Sequence, residues 1–80
     1  MNKNIHKIVE KMRRSQTNVS FDDLFKILTH LGYTLNSGGT GSHRIFKKSG
    51  HDHVNIPFAK PIKKHYVKKV LEIYDEENLD

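Results

Sequence analysis

The apolar residues of this 80-residue chain change their period twice, and the order of those changes decides the class of fold. Ile5, Ile8, Val9 and Met12 recur at helical spacing, which gathers them on one face of a short helix over residues 4–14. Phe21, Leu24, Phe25, Leu28 and Leu31 form a second stripe, widened by Ile27. Ser20 ahead of Phe21-Asp22-Asp23 supplies an N-cap with two carboxylates in the first turn, and Gly32 stands where a helix ends in the left-handed region. The period then shortens. Tyr33-Thr34-Leu35 reads as a strand and Asn36 to Ser42 as a glycine-rich connection. His43–Lys48 and His53–Phe58 read as antiparallel strands flanking the turn Ser49-Gly50-His51-Asp52. Pro57 and Pro61 close this region, and from Ile62 to Tyr74 the period is helical again. Helix, helix, strand, strand, strand, helix is an α+β plan: a small three-stranded antiparallel sheet with helices packed on one face and the other face open.

The alternation of side chains constrains the register. Phe46 shares a face with Val54, Ile56 and Phe58 only if the numbers of paired residues sum to an even number; His43, Ile45 and Lys47 then point to the other face. The other register buries Ile45, and the larger apolar group favours Phe46 inward. A chain of this length builds one core, so residues 1–80 read as a single domain: a helix and connection over 1–19, a core over 20–74 and an acidic tail over 75–80. The tail is expected to fray, because carboxylates at a helix C-terminus oppose the macrodipole. No segment approaches the ~20 apolar residues of a membrane span. With no apolar segment of the kind a signal peptide needs at the start, and no cysteine, a cytoplasmic location is expected.

Charge is unevenly distributed. Residues 1–40 carry six bases and three acids, residues 41–70 eight bases and only Asp52, and residues 71–80 five acids and no base. The basic middle suits an anionic polymer such as nucleic acid, and equally a solvated lysine-rich surface. Within it, Gly41-Ser42 deliver His43 to the start of a strand, next to backbone that a ligand can approach closely. An imidazole with an ordinary pKa of about 6.5 exchanges protons at cellular pH, and the cations Arg44, Lys47 and Lys48 favour its neutral, basic form. By position alone, a surface histidine at a strand end is the plainer reading. His51-Asp52-His53 has metal-ligand residue types without the usual spacing, so a polar turn is the better reading and no metal is expected. His6, His30 and His65 are assigned no chemistry. Gly38-Gly39-Thr40-Gly41-Ser42 lacks the lysine and the following helix of a phosphate loop, which excludes a nucleotide cofactor while leaving contact with one phosphate of a polymer.

The helix ending in Leu31-Gly32-Tyr33, the glycine-rich gap, Gly41-Ser42-His43-Arg44-Ile45-Phe46, the strand Val54-Asn55-Ile56-Pro57-Phe58 and the basic helix after it together resemble the HicA toxins over about residues 20–74. Phe21-Asp22-Asp23-Leu24 at the start of the second helix also fits. The resemblance implies a fold like a double-stranded-RNA-binding domain, ribonuclease activity on messenger RNA without a cofactor, and a partner antitoxin of the HicB type. It implies that His43, presented by Gly41 and Ser42, is catalytic. The chain departs from many relatives at Lys63-Lys64-His65-Tyr66 and in its leading helix. The chemistry inferred is attack by a 2′-hydroxyl of RNA on its own phosphate, with His43 as general base. Ser42, Arg44, Lys47 and Lys48 are candidates to meet the developing charge, and Lys60, Lys63 and Lys64 to hold flanking phosphates. Two rivals use the same residues otherwise: an RNA-binding module without catalysis, and an adaptor that offers its sheet face or edge to a protein.

Overall fold

Both ends of the second helix are closed by the residues that the sequence supplies for them. In the computed structural model, which describes residues 3–36, 43–57 and 61–77, helix α2 spans Phe21–His30. The Ser20 hydroxyl accepts from the Asp23 N–H at 3.2 Å and the Asp23 carboxylate from the Ser20 N–H at 3.5 Å, a reciprocal capping box. At the other end the Tyr33 N–H reaches back to the Leu28 carbonyl at 3.0 Å, around Gly32 at φ +98°. Ser20→Ala is expected to lower stability by about 1 kcal/mol and Ser20→Gly by only a few tenths, read by urea denaturation.

Around α2 stand α1 (Lys3–Arg14), β1 (Thr34–Asn36), β2 (His43–Lys47), β3 (Val54–Pro57) and α3 (Lys64–Glu77). The strands form one antiparallel sheet in the order β1-β2-β3. Phe46 pairs with Val54 on one side and Leu35 on the other, and Arg44 with Ile56. This is the even register, with Phe46, Val54 and Ile56 all buried; Phe58 lies outside the described residues. The Phe46 ring stands 6.0 Å from that of Phe21 and 6.2 Å from that of Phe25, so α2 covers the sheet through Phe46. Leu24, Ile27 and Leu28 of α2 and Val67, Val70 and Leu71 of α3 complete the core. The α-β-β-β-α order from α2 to α3, with helices on one face, is the architecture of a double-stranded-RNA-binding domain. No helix of the described residues is long and apolar enough to cross a membrane.

The leading helix is part of the same core, since Ile5, Val9 and Met12 of α1 are buried in it. Two contacts distant in sequence alter what periodicity suggests for α3. The Ile62 N–H donates to the Val19 carbonyl at 3.0 Å, which holds Ile62 outside the helix; α3 therefore begins at Lys64 rather than at Ile62. Its last turn continues to Glu77, where fraying was the expectation, because two of its carboxylates are engaged. Asp75 accepts both terminal guanidinium nitrogens of Arg13, at 3.3 and 2.5 Å. Residues 78–80 lie outside the described ones.

The hydrogen bond from Arg13 holds the Asp75 carboxyl below its ordinary pKa. A depressed carboxylate contributes stability that is fully present above its unfolded pKa and is lost as pH falls through the folded one. Asp75→Asn is thus expected to lower the melting temperature slightly at neutral pH, this being an exposed pair, and the difference is expected to shrink as pH falls below the ordinary carboxylate range.

Candidate nucleic-acid interface

Among the described residues, no helix covers the second face of the sheet. Opposite the buried set, alternation brings Thr34 and Asn36 of β1, Ile45 and Lys47 of β2, and Asn55 and Pro57 of β3 to this face. Thr34, Lys47 and Asn55 are exposed, and Ile45, Asn36 and Pro57 are half-buried. His43 is the first residue of β2, in register with Pro57 and in phase with Ile45 and Lys47. Asn55, in register with Ile45, is its diagonal neighbour, a relation that sets Cα atoms roughly 7–8 Å apart.

The cations expected around His43 separate into three groups. Lys47 shares the phase of His43 but stands four residues along the strand, about 13 Å away at strand rise, a distance suited to another phosphate of the same polymer. Arg44 alternates to the helix-covered side, in phase with Phe46, and is half-buried. Lys48 lies beyond the far end of β2 in an ionic cluster. Its ammonium stands 3.1 Å from the Glu77 carboxylate and 5.7 Å from the centroid of the Tyr33 ring, with 22% of the side chain exposed. The other oxygen of Glu77 is 3.2 Å from His51 Nε2, while His51 Nδ1 is 3.1 Å from the Ser49 carbonyl. This cluster fastens the β2–β3 turn to the end of α3. Burial, and then Glu77, Glu76 and Asp52, push the Tyr33 hydroxyl above its ordinary pKa. Lys48 is thus a fastening of the fold as it stands, not a cation next to His43. Ser42 and Lys60 lie outside the described residues.

Lys63 and Lys64 stand exposed at the start of α3. The first turn of this helix contains no acid and its last turn no base, so its charges run against the macrodipole at both ends. Of the acids at the far end, Asp75 is accounted for by Arg13, and Glu77 by Lys48 and His51. The lysines at the near end have no such explanation: among the described residues, no carboxylate lies within ion-pair distance of Lys63, Lys64, Lys68 or Lys69. Lys68 and Lys69 extend the cluster that Lys63 and Lys64 begin. The signal for them was the lysine spacing itself, which repeats Lys64 and His65 one helical turn later.

Comparison with known families decides what bears this face. The family model described as HicA toxin of bacterial toxin–antitoxin matches residues 21–74, from the first residue of α2 to the last turn of α3. The chain belongs to the HicA toxin family. No curated protein and no solved structure matches it. HicA membership makes it the toxin half of a toxin–antitoxin pair. The segment that matches the HicA family includes the whole sheet and the lysines of α3, whereas α1 precedes it and is nonetheless packed into the core.

Proposed function

We propose that this HicA toxin is an endoribonuclease that cleaves messenger RNA with His43 as general base and without a metal, and that a HicB-type antitoxin neutralises it by covering the open sheet face. The observation that carries this reading is the uncovered face itself, with His43 at its β2 end, Lys47 further along the strand and unneutralised lysines on the neighbouring helix. His43 removes the proton of a 2′-hydroxyl, whose oxygen attacks the adjacent phosphorus. The bond to the 5′-oxygen breaks, that oxygen takes a proton from water, and a 2′,3′-cyclic phosphate and a 5′-hydroxyl result. Ser42 is assigned to the reacting phosphate. Lys47, Lys60, Lys63 and Lys64 are assigned to flanking phosphates.

The chemistry of the product ends tests this directly. New 5′ ends are expected to accept phosphate from a polynucleotide kinase without prior phosphatase treatment; ends that need the phosphatase would contradict the mechanism. The cations have a separate signature. Each of Lys47→Ala, Lys63→Ala and Lys64→Ala is expected to reduce the slope of log affinity for single-stranded RNA against log salt by about 0.7, as one phosphate contact is lost. Lys48→Ala is expected to leave that slope unchanged and to lower the melting temperature instead, because it opens the cluster around Glu77. A slope unchanged by all four substitutions would favour an adaptor that binds protein alone.

A further inference from the structure

Helix α1 precedes the segment that matches the HicA family, and its outer face carries charge that the fold does not use. Ile5, Val9 and Met12 turn inward to the core, which leaves Lys7, Lys11 and Arg14, at i, i+4 and i+7, in line along the opposite side. All three are exposed, and they span about 10 Å of helix. The acids of α1 and of the first turn of α2 are engaged elsewhere: Glu10 with Arg13 at 3.9 Å, Asp22 with Lys26 at 3.2 Å, and Asp23 in the capping box with Ser20. Among the described residues, no carboxylate lies within ion-pair distance of Lys7, Lys11 or Arg14. The macrodipole favours bases in the last turn, but it does not explain the alignment of three bases that begins in mid-helix. The line also continues beyond the helix. Lys11, Val19 and Pro61 line one hollow, and the hydrogen bond from Ile62 to the Val19 carbonyl holds the start of α3 against it. The exposed Lys63 and Lys64 follow directly.

We propose that Lys7, Lys11 and Arg14 hold the backbone of the same RNA strand that Lys63 and Lys64 hold, so that α1 lengthens the phosphate track of this toxin beyond the family segment. The inference rests on the reading that the chain binds RNA, and it does not depend on His43. A row of exposed cations without carboxylate partners takes up phosphates and releases their counterions, whatever the base sequence. The composition of the face selects a polyanion over a protein. Every exposed side chain described on α1 is polar or charged, whereas protein interfaces are depleted of lysine and enriched in aromatic residues and methionine. The one acid beside Lys11 in the hollow, Asp23, already accepts the Ser20 N–H and faces the positive end of α2. It therefore opposes a passing strand less than a free carboxylate would.

The probe is a twenty-nucleotide uridine strand with 2′-O-methyl riboses, which cannot undergo attack by a 2′-hydroxyl, so binding to the full chain is read apart from cleavage. The triple variant Lys7→Ala, Lys11→Ala, Arg14→Ala is expected to fold like the parent, because alanine is the best helix former at exposed positions. It is expected to lower the slope of log affinity against log salt by about 2, as three phosphate contacts are lost. The charge-conserving set Lys7→Arg, Lys11→Arg, Arg14→Lys is expected to keep the slope. Adding Lys63→Ala and Lys64→Ala to the triple variant is expected to lower it by about 1.4 more, with one strand bound per chain throughout. A slope that Lys63→Ala lowers and the triple variant leaves unchanged would overturn the track and leave RNA binding in place. Absence of salt-dependent binding by the parent would overturn both. Two strands bound per chain would mean separate sites and overturn the continuity. An end-blocked hexaglutamate that displaces the strand at a lower concentration than unlabelled strand does would also overturn the proposal, since the stripe would then be a protein contact.

Discussion

Phe46→Ala is expected to remove about 3–5 kcal/mol of folding stability, the largest loss from any single truncation in the core. The side chain is fully buried in the middle strand, flanked by Leu35 and Val54 across the sheet and packed at a tilt against Phe21 and Phe25 of α2. No neighbouring element can collapse into the space without moving α2 off the sheet, so both the transfer loss and the cavity cost apply. Domains of this size have total stabilities of only about 5–15 kcal/mol, so the variant is expected to populate its unfolded state measurably without denaturant. Phe46→Leu keeps most of the volume and is expected to cost markedly less. Ile45→Ala, one residue earlier on the open face, is expected to cost less still, since Ile45 is only half-buried. Urea denaturation of the three variants orders them. An Ile45→Ala loss as large as that of Phe46→Ala would mean that the register is the odd one.

That register was legible in advance because it depends on local alternation and on the size of one ring. The caps of α2 were legible for the same reason: Ser20, Asp23 and Gly32 act on backbone groups a few residues away. What periodicity does not carry is tertiary pairing between distant segments. Nothing in Asp75-Glu76-Glu77 signals that Asp75 will meet Arg13, or that Glu77 will join Lys48 to His51, so an engaged helix end reads as a fraying tail. Ile62 likewise reads as helical until the Val19 carbonyl is found on its N–H. The candidate site divides in the same way. The phase of His43 and Lys47 followed from the strand, and the exposure of Lys63 and Lys64 from the helix. Lys48, adjacent to Lys47 in sequence, belongs to a different part of the surface because the strand ends between them. Arg44 illustrates the limit of proximity in sequence, since one step along a strand changes the face.

His43→Ala is expected to eliminate cleavage while leaving the fold and the affinity for RNA in place. General-base catalysis contributes about 10²–10⁴-fold, so loss of the proposed base is expected to take cleavage below detection. The proposed phosphate contacts come from lysines that the substitution does not touch, so the salt dependence of RNA binding is expected to be the same in the variant as in the parent. Position 43 is the first residue of β2, at the end of its ladder, so the truncation is expected to leave the sheet intact.

The most direct test is cleavage of a long unstructured RNA by the purified protein in excess EDTA, parent beside His43→Ala, with circular dichroism and RNA affinity measured for both. The expected result is cleavage by the parent, none by a folded variant of equal affinity. Cleavage by both at the same rate, or by neither while both bind RNA, would contradict a ribonuclease centred on His43; the second outcome would leave a HicA-fold RNA binder in its place.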